Sequence, residues 1–235
     1  MGGSIKFGIA MAVAAVIFAG AGHSQETGAT EEVGMPLPDW LDARWAELST
    51  GEAVLLTHRP DEKEDAIDKR FVNYAILVEA PFAQVWEVVN DKNAAADFME
   101  GVLFSEIKEQ EDNEILLEQK TKVGGPKESY HYFVRHFLFR DERYVNFEHA
   151  GGELRDILGG WWFYEGKDPG TTVLVYSLHI DAAAFAPQFI VKRGMRKSIP
   201  RTMNQMRDES ERRLAEKNGE KNGEKNAEKE EAASE

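Results

Sequence analysis

The residues of this chain best suited to chemistry are its histidines, and their spacing works against a shared site. His131 and His136 fall in one alternating run, an odd number of positions apart, so they sit on opposite faces of one strand. His149 and His179 belong to other runs and could each approach one of them. No H-E-x-x-H or comparable ligand spacing is present, so no metal site is expected, and no cofactor either. Each histidine is expected to be an exposed or hydrogen-bonded strand residue. Nucleophilic catalysis has no local signature: there is no G-x-S-x-G elbow, no phosphate-cradling glycine loop after a strand, and no cysteine. General acid–base chemistry stays open, because polar groups inside an apolar cavity acquire shifted pKa values.

Aromatic residues are the second resource. In the run Glu128–Phe139, Tyr130, Tyr132, Val134, His136 and Leu138 share one face, while His131, Phe133, Arg135, Phe137 and Phe139 share the other. Both faces carry apolar bulk, so alternation leaves open which one turns inward. The stretch GGWWFYEGKDPGTTVLVYSLHID, from Gly159 to Asp181, reads as a hairpin with the same ambiguity. So much flat apolar surface is expected to line a cavity rather than only fill a core. Trp162, Tyr176 and Arg135 are the candidate wall residues, joined by Phe133, Phe137 and Met203. Arg135, if it faces inward, would anchor a carboxylate or phosphate on the ligand.

Elements that position these side chains can be read along the chain. Trp40, Leu41, Trp45 and Leu48 lie at helical spacing, with Asp39 as cap and Gly51 as stop. A short strand in AVLLTHRP follows, then an alternating strand through Phe71–Val78. Pro81 starts a helix carrying Phe82, Val85, Trp86 and Val89 on one stripe, and NAAADFME makes a second short helix up to Gly101. From there the period is two. Strands are expected over 102–108, 114–123, 128–139, 143–149, 161–165 and 171–181, with turn residues between them. The chain closes in a helix with Ile199, Met203, Met206 and Leu214 as apolar positions and a restart at Pro200. This order predicts an α+β fold: a curved antiparallel sheet wrapped around a long C-terminal helix. The space between sheet and helix is where a ligand would go.

The ends and the charge bound the function further. Lys6 precedes an apolar run from Phe7 to Ala21 that is short of the roughly 20 residues needed to span a bilayer. With Ala19-Gly20-Ala21 as a small-x-small site, it reads as a signal peptide cleaved after Ala21; an uncleaved anchor or a buried helix is the alternative. Lacking a lipobox cysteine, the product is expected to be periplasmic or secreted and not a lipoprotein. Residues 22–37 read as a flexible leader, 38–214 as the domain, and 215–235 as a disordered or frayed-helix charged tail. A net charge of −14 opposes nucleic-acid binding. The basic run around Phe189, Lys192, Arg193, Arg196 and Lys197 is a candidate membrane-docking surface, against a solvated face or salt bridges to the acidic N-terminal third.

The passage VEAPFAQVWEVVNDKNAAADFMEGV, the GGWW hairpin and the ending APQFIVKRGMRKSIPRTMNQMRDES together resemble the START-like, or helix-grip, superfamily, near its polyketide cyclase, coenzyme Q-binding and START lipid-binding groups. The resemblance spans about Phe71 to Arg213. It implies a deep, largely apolar cavity that holds a lipid or another hydrophobic molecule. Members carry, sense or chemically alter that molecule, so the resemblance implies a binding or transfer protein, or alternatively a cyclase- or aromatase-type enzyme.

Overall fold

The structure, a computed structural model, describes residues 34–62, 67–122, 127–182 and 187–232, with side chains as far as Glu220. The expected signal segment, its cleavage site and most of the leader lie outside the described residues. Two short helical turns, α1 (Asp39–Asp42) and α2 (Trp45–Leu48), come first among the described elements where the spacing predicts one helix; Gly51, at φ 78°, ends the second. They lead to β1 (Val54–Leu56) and β2 (Val72–Val78), then α3 (Phe82–Asn90) and α4 (Ala95–Phe98). The remaining strands are β3 (Val102–Glu111), β4 (Glu114–Thr121), β5 (Tyr130–Phe139), β6 (Tyr144–Gly152), β7 (Asp156–Glu165) and β8 (Thr172–Asp181), and the last element is α5 (Gln188–Ala232).

All these strands join one antiparallel sheet in the order β1-β2-β8-β7-β6-β5-β4-β3. The strands from β3 to β8 follow one another as a meander, and pairing of β8 with β2 brings both ends of the sheet sequence together. The sheet curves around α5, which packs on β2 and α3. This is the helix-grip architecture. Register shifts in β3, and between Phe133 and Val134 where β5 meets β6, add local twist and bend that help the sheet wrap.

Two cores flank the sheet. The larger lies inside, where Tyr132, Val134, Trp161, Phe163 and Leu174 meet Val85, Val89, Met195, Ile199 and Met203. A smaller one covers the outer face of β2, β8 and β7: Trp162, Tyr164, Val173 and Val175 pack against Leu41 and Leu48, with Met35 and Leu37 alongside. Met35 and Leu37 precede the expected domain start, and the Met35 carbonyl accepts a hydrogen bond from the Glu165 amide at 2.8 Å.

α5 corrects one expectation. It begins at Gln188 and runs through Pro200 without a restart. Proline there removes the amide that would bond the Arg196 carbonyl. The Tyr74 hydroxyl donates to that carbonyl instead, at 3.2 Å. Further along, Glu211 accepts from the Glu79 amide at 2.9 Å, Arg213 pairs with Asp91 at 2.8 Å and Lys217 with Glu87 at 2.5 Å, pinning the helix to β2 and α3. Backbone helix continues to Ala232, through most of the segment expected as a disordered or frayed-helix tail.

Candidate functional site: the cavity beneath the C-terminal helix

Between the inner face of the sheet and α5 lies a cavity of about 160 Å³, lined by residues from β4 to β8, α3, the turn into β3, and α5. It has room for on the order of ten water-sized groups. One wall is aromatic. Trp161 and Tyr176 are directly opposed across β7 and β8, and their rings stack at 3.8 Å and 15°. Phe147 continues the wall at 6.2 Å from Tyr176, and His136 tilts against Phe147 at 5.3 Å. Gly159 makes this continuity possible: a Cβ there would come within 2.3 Å of the Phe147 ring and 2.2 Å of the Ser177 carbonyl oxygen. The ring therefore lies flat across β7, which explains one glycine of the GGWW sequence. Its neighbour Gly160 leaves the same kind of space for Trp162 on the outer face, where a Cβ would meet that indole at 2.7 Å.

Opposite this wall the lining is partly polar. The Tyr132 hydroxyl accepts from Thr121 Oγ1 and donates to Gln119 Oε1, both at 3.2 Å. Burial pushes its pKa up to about 12 and raises that of Tyr176 further, so both remain neutral phenols. Lys92, just past the end of α3, is 6% exposed, and its Nζ donates to the Val89 carbonyl at 2.8 Å. That carbonyl is one of the acceptors a helix end leaves unbonded, so the lysine completes α3. Burial lowers the Lys92 pKa to about 7. His136, also buried, is held well below its usual range, first by burial and then by the Lys92 charge. Its Nδ1 has no hydrogen-bond partner among the described residues.

Among the lining residues, Ser198 of α5, Glu100 in the turn Met99–Val102 and Lys122 past β4 are exposed, so the cavity reaches the surface on the side where α5 meets that turn. Arg201 pairs with Glu100 there at 3.1 Å, and Gln205 accepts from the Glu100 amide at 3.2 Å.

A family model described as polyketide cyclase / dehydrase and lipid transport matches residues 78–207, more than half of the chain. The chain belongs to this family. The match runs from the end of β2 to the middle of α5 and so includes nearly every element lining the cavity. No curated protein matches the sequence. Among solved structures the chain is similar to a STAR-related lipid transfer protein of Xanthomonas axonopodis, at 14% identity and a TM-score of 0.55 over 68% of this chain and 99% of that one. It is similar to the Zhui aromatase/cyclase of a Streptomyces species, at 20% identity and a TM-score of 0.53 over 61% and 94%. Human StAR-related lipid transfer protein 5 aligns at 14% identity and a TM-score of 0.50 over 73% and 95%. At these identities the likeness is one of fold.

Within this family member, the residues expected to form the wall divide. Tyr176 lines the cavity. Trp162 does not: it belongs to the outer core, and Trp161 takes the inward place. Arg135 is also on the outer face, paired with Glu114, so it is no anchor for a guest. Phe133 and Phe137 share that face and are partly exposed. Met203 is fully buried in the inner core, but Met195, Ile199 and Met206 are the apolar α5 residues that border the cavity. Parity is the obstacle, because the N-terminal turns cover the outer face and make both faces apolar. His131, on the outer face, meets Glu118 at 2.6 Å, as a hydrogen-bonded strand residue should. His136 departs from the expectation of an exposed or bonded histidine, being buried and without a partner at Nδ1. Lys92 is the residue that sequence reasoning misses; its only signal is a cation one step past a helix end, which elsewhere marks a solvated cap.

Proposed function

We propose that this protein binds a hydrophobic small molecule, a lipid being the favoured class, and carries it through an aqueous compartment after export. The observation that carries the reading is the cavity itself, enclosed by the stacked Trp161–Tyr176 wall and the apolar stripe of α5. Moving apolar ligand surface from water to such a wall contributes roughly 25 cal/mol per Å². The family's description, which includes lipid transport, supports the same reading. Native mass spectrometry of the protein taken from its own host, followed by lipid extraction, tests it. A copurifying lipid that exchanges between vesicles is expected; a protein with no bound lipid and no exchange overturns it. The same sample tests export, since the mature chain should begin at Gly22.

Membrane docking through the start of α5 is part of this proposal. Phe189 is 73% exposed, and Arg193, Arg196 and Lys197 are exposed beside it. Lys192 is drawn back to the Lys69 carbonyl, and Val191 and Met195 are buried against the sheet, so the docking face is narrower than the sequence suggests. Flotation with anionic vesicles, lost in a Phe189→Ser/Arg193→Ser/Arg196→Ser variant, is the expected result.

A second reading has its own observation. Lys92, His136 and Tyr132 line one cavity, and a neutral imidazole beside an amine of pKa about 7 is suited to proton transfer at neutral pH. That is what a cyclase- or aromatase-type enzyme acting on a hydrophobic substrate would need. Turnover of a poly-β-ketone probe, lost in His136→Phe with binding retained, would establish it in place of carriage.

A further inference from the structure

We infer that the cavity takes an amphiphile whose polar end is a carboxylate, ion-paired with Lys92 and adjoining His136. This rests on the reading that the cavity holds a hydrophobic guest, and it names the chemistry of that guest's head.

Lys92 lines the cavity, and its buried amine donates one hydrogen bond, to the Val89 carbonyl. Among the described residues no carboxylate lies within ion-pairing distance of it. Two carboxylates line the cavity, and both are engaged by arginines of α5: Asp91 with Arg213 at 2.8 Å, and Glu100 with Arg201 at 3.1 Å. His136, which feels the Lys92 charge, is itself cationic when protonated and offers Lys92 no counter-charge. A buried amine with no anion is costly, and a ligand that brings the anion recovers that cost. Of the two amines that line the cavity only Lys92 is buried, Lys122 being exposed, so the buried part offers one amine and one neutral imidazole, enough to balance a single negative charge. A phosphate dianion would remain half-compensated, so a carboxylate is the better match. The remaining lining, with Trp161, Tyr176, Met195 and Ile199, is suited to an apolar body. Arg135, the cation that sequence singles out for this role, is on the other side of the sheet.

Matched probes separate head from body. Decanoate and decan-1-ol share a chain and differ at the polar end, and quenching of tryptophan fluorescence in the full chain at pH 7 reports binding of each. Wild type should bind decanoate about tenfold or more tighter than decan-1-ol. Lys92→Met should abolish that preference and leave the decan-1-ol affinity within about threefold, whereas Lys92→Arg should retain it. If wild type binds both equally, or Lys92→Met weakens both alike, the carboxylate inference is overturned while the hydrophobic-guest reading stands. Binding of neither probe overturns both. Should Lys92→Met not fold, Lys92→Gln takes its place with the same loss of preference expected, and the wild-type comparison of the two probes is decisive by itself.

Discussion

The Tyr74 hydroxyl donates a 3.2 Å hydrogen bond to the carbonyl of Arg196, four residues before Pro200. A strand residue thereby fills the acceptor that proline vacates inside a helix, at the point where α5 begins to cover the cavity. The bond ties the helix axis to β2. Tyr74→Phe should leave the partly buried Arg196 carbonyl without this partner and cost about 0.5–1.5 kcal/mol. In a Pro200→Ala background the restored amide serves that carbonyl, so the same substitution should cost only a few tenths of a kcal/mol. Urea unfolding of the four proteins measures the coupling; equal costs in both backgrounds would refute it.

Lys92 gives stability a pH signature. Its folded-state pKa, about 7, lies below the ordinary 10.5, because burial disfavours the charged form. Between those values the unfolded chain binds a proton that the folded chain does not, so this residue makes stability rise with pH across the window. Lys92→Met removes the effect. The variant also leaves the Val89 carbonyl unbonded, a cost that does not vary with pH, so the signature is the trend: its stability relative to wild type should be highest near pH 7 and fall towards pH 10.5. Other titratable groups facing the same space, His136, Asp91, Glu100, Lys122, Tyr132 and Tyr176, are common to both proteins. A gap that stays constant between about pH 7 and 10 would show that Lys92 is charged in the folded state.

Gly159 is held by contact rather than by backbone conformation. An alanine there places its Cβ against the Phe147 ring and the Ser177 carbonyl. We expect Gly159→Ala to cost about 1–3 kcal/mol and to alter the near-ultraviolet circular dichroism of the aromatic wall. Gly170 has φ 78° and nothing near its missing side chain, so Gly170→Ala strains only the turn. An unchanged aromatic spectrum in Gly159→Ala would mean that the Phe147 ring does not depend on that gap.

Glu100 and Arg201 face each other where α5 meets the turn Met99–Val102, and both are more than half exposed. Such a pair adds little to stability, typically about 0–1 kcal/mol, but it ties α5 to a turn that lines the cavity, the access route expected for a guest. Glu100→Gln should therefore raise the rate of ligand exchange several-fold while melting within a few degrees of wild type. Stopped-flow displacement of a bound fluorescent probe reads the rate. No change in exchange would place the access route elsewhere.

Strand order, most turn positions, the two short helices and the long last helix are legible in the sequence, because each is set by local chemistry: alternation, proline and glycine placement, helical spacing. The turn expected at Gly151-Gly152 is an exception, since β6 runs through Gly152 and β7 starts at Asp156. The expectation of a cavity follows from that order. Which face of each strand looks inward is not legible. Trp161 and Trp162 are adjacent and alike, and the choice between them depends on Leu41 and Leu48 packing on the outside and Met195 and Ile199 on the inside. Those contacts join segments far apart in the chain, and no local pattern encodes them. For the same reason Arg135 is an outer ion pair: alternation assigns it to one of two faces, and only packing of the N-terminal turns and α5 onto the sheet decides which face is dry. Lys92, past the end of α3, is an interior amine only because the folded chain closes over it.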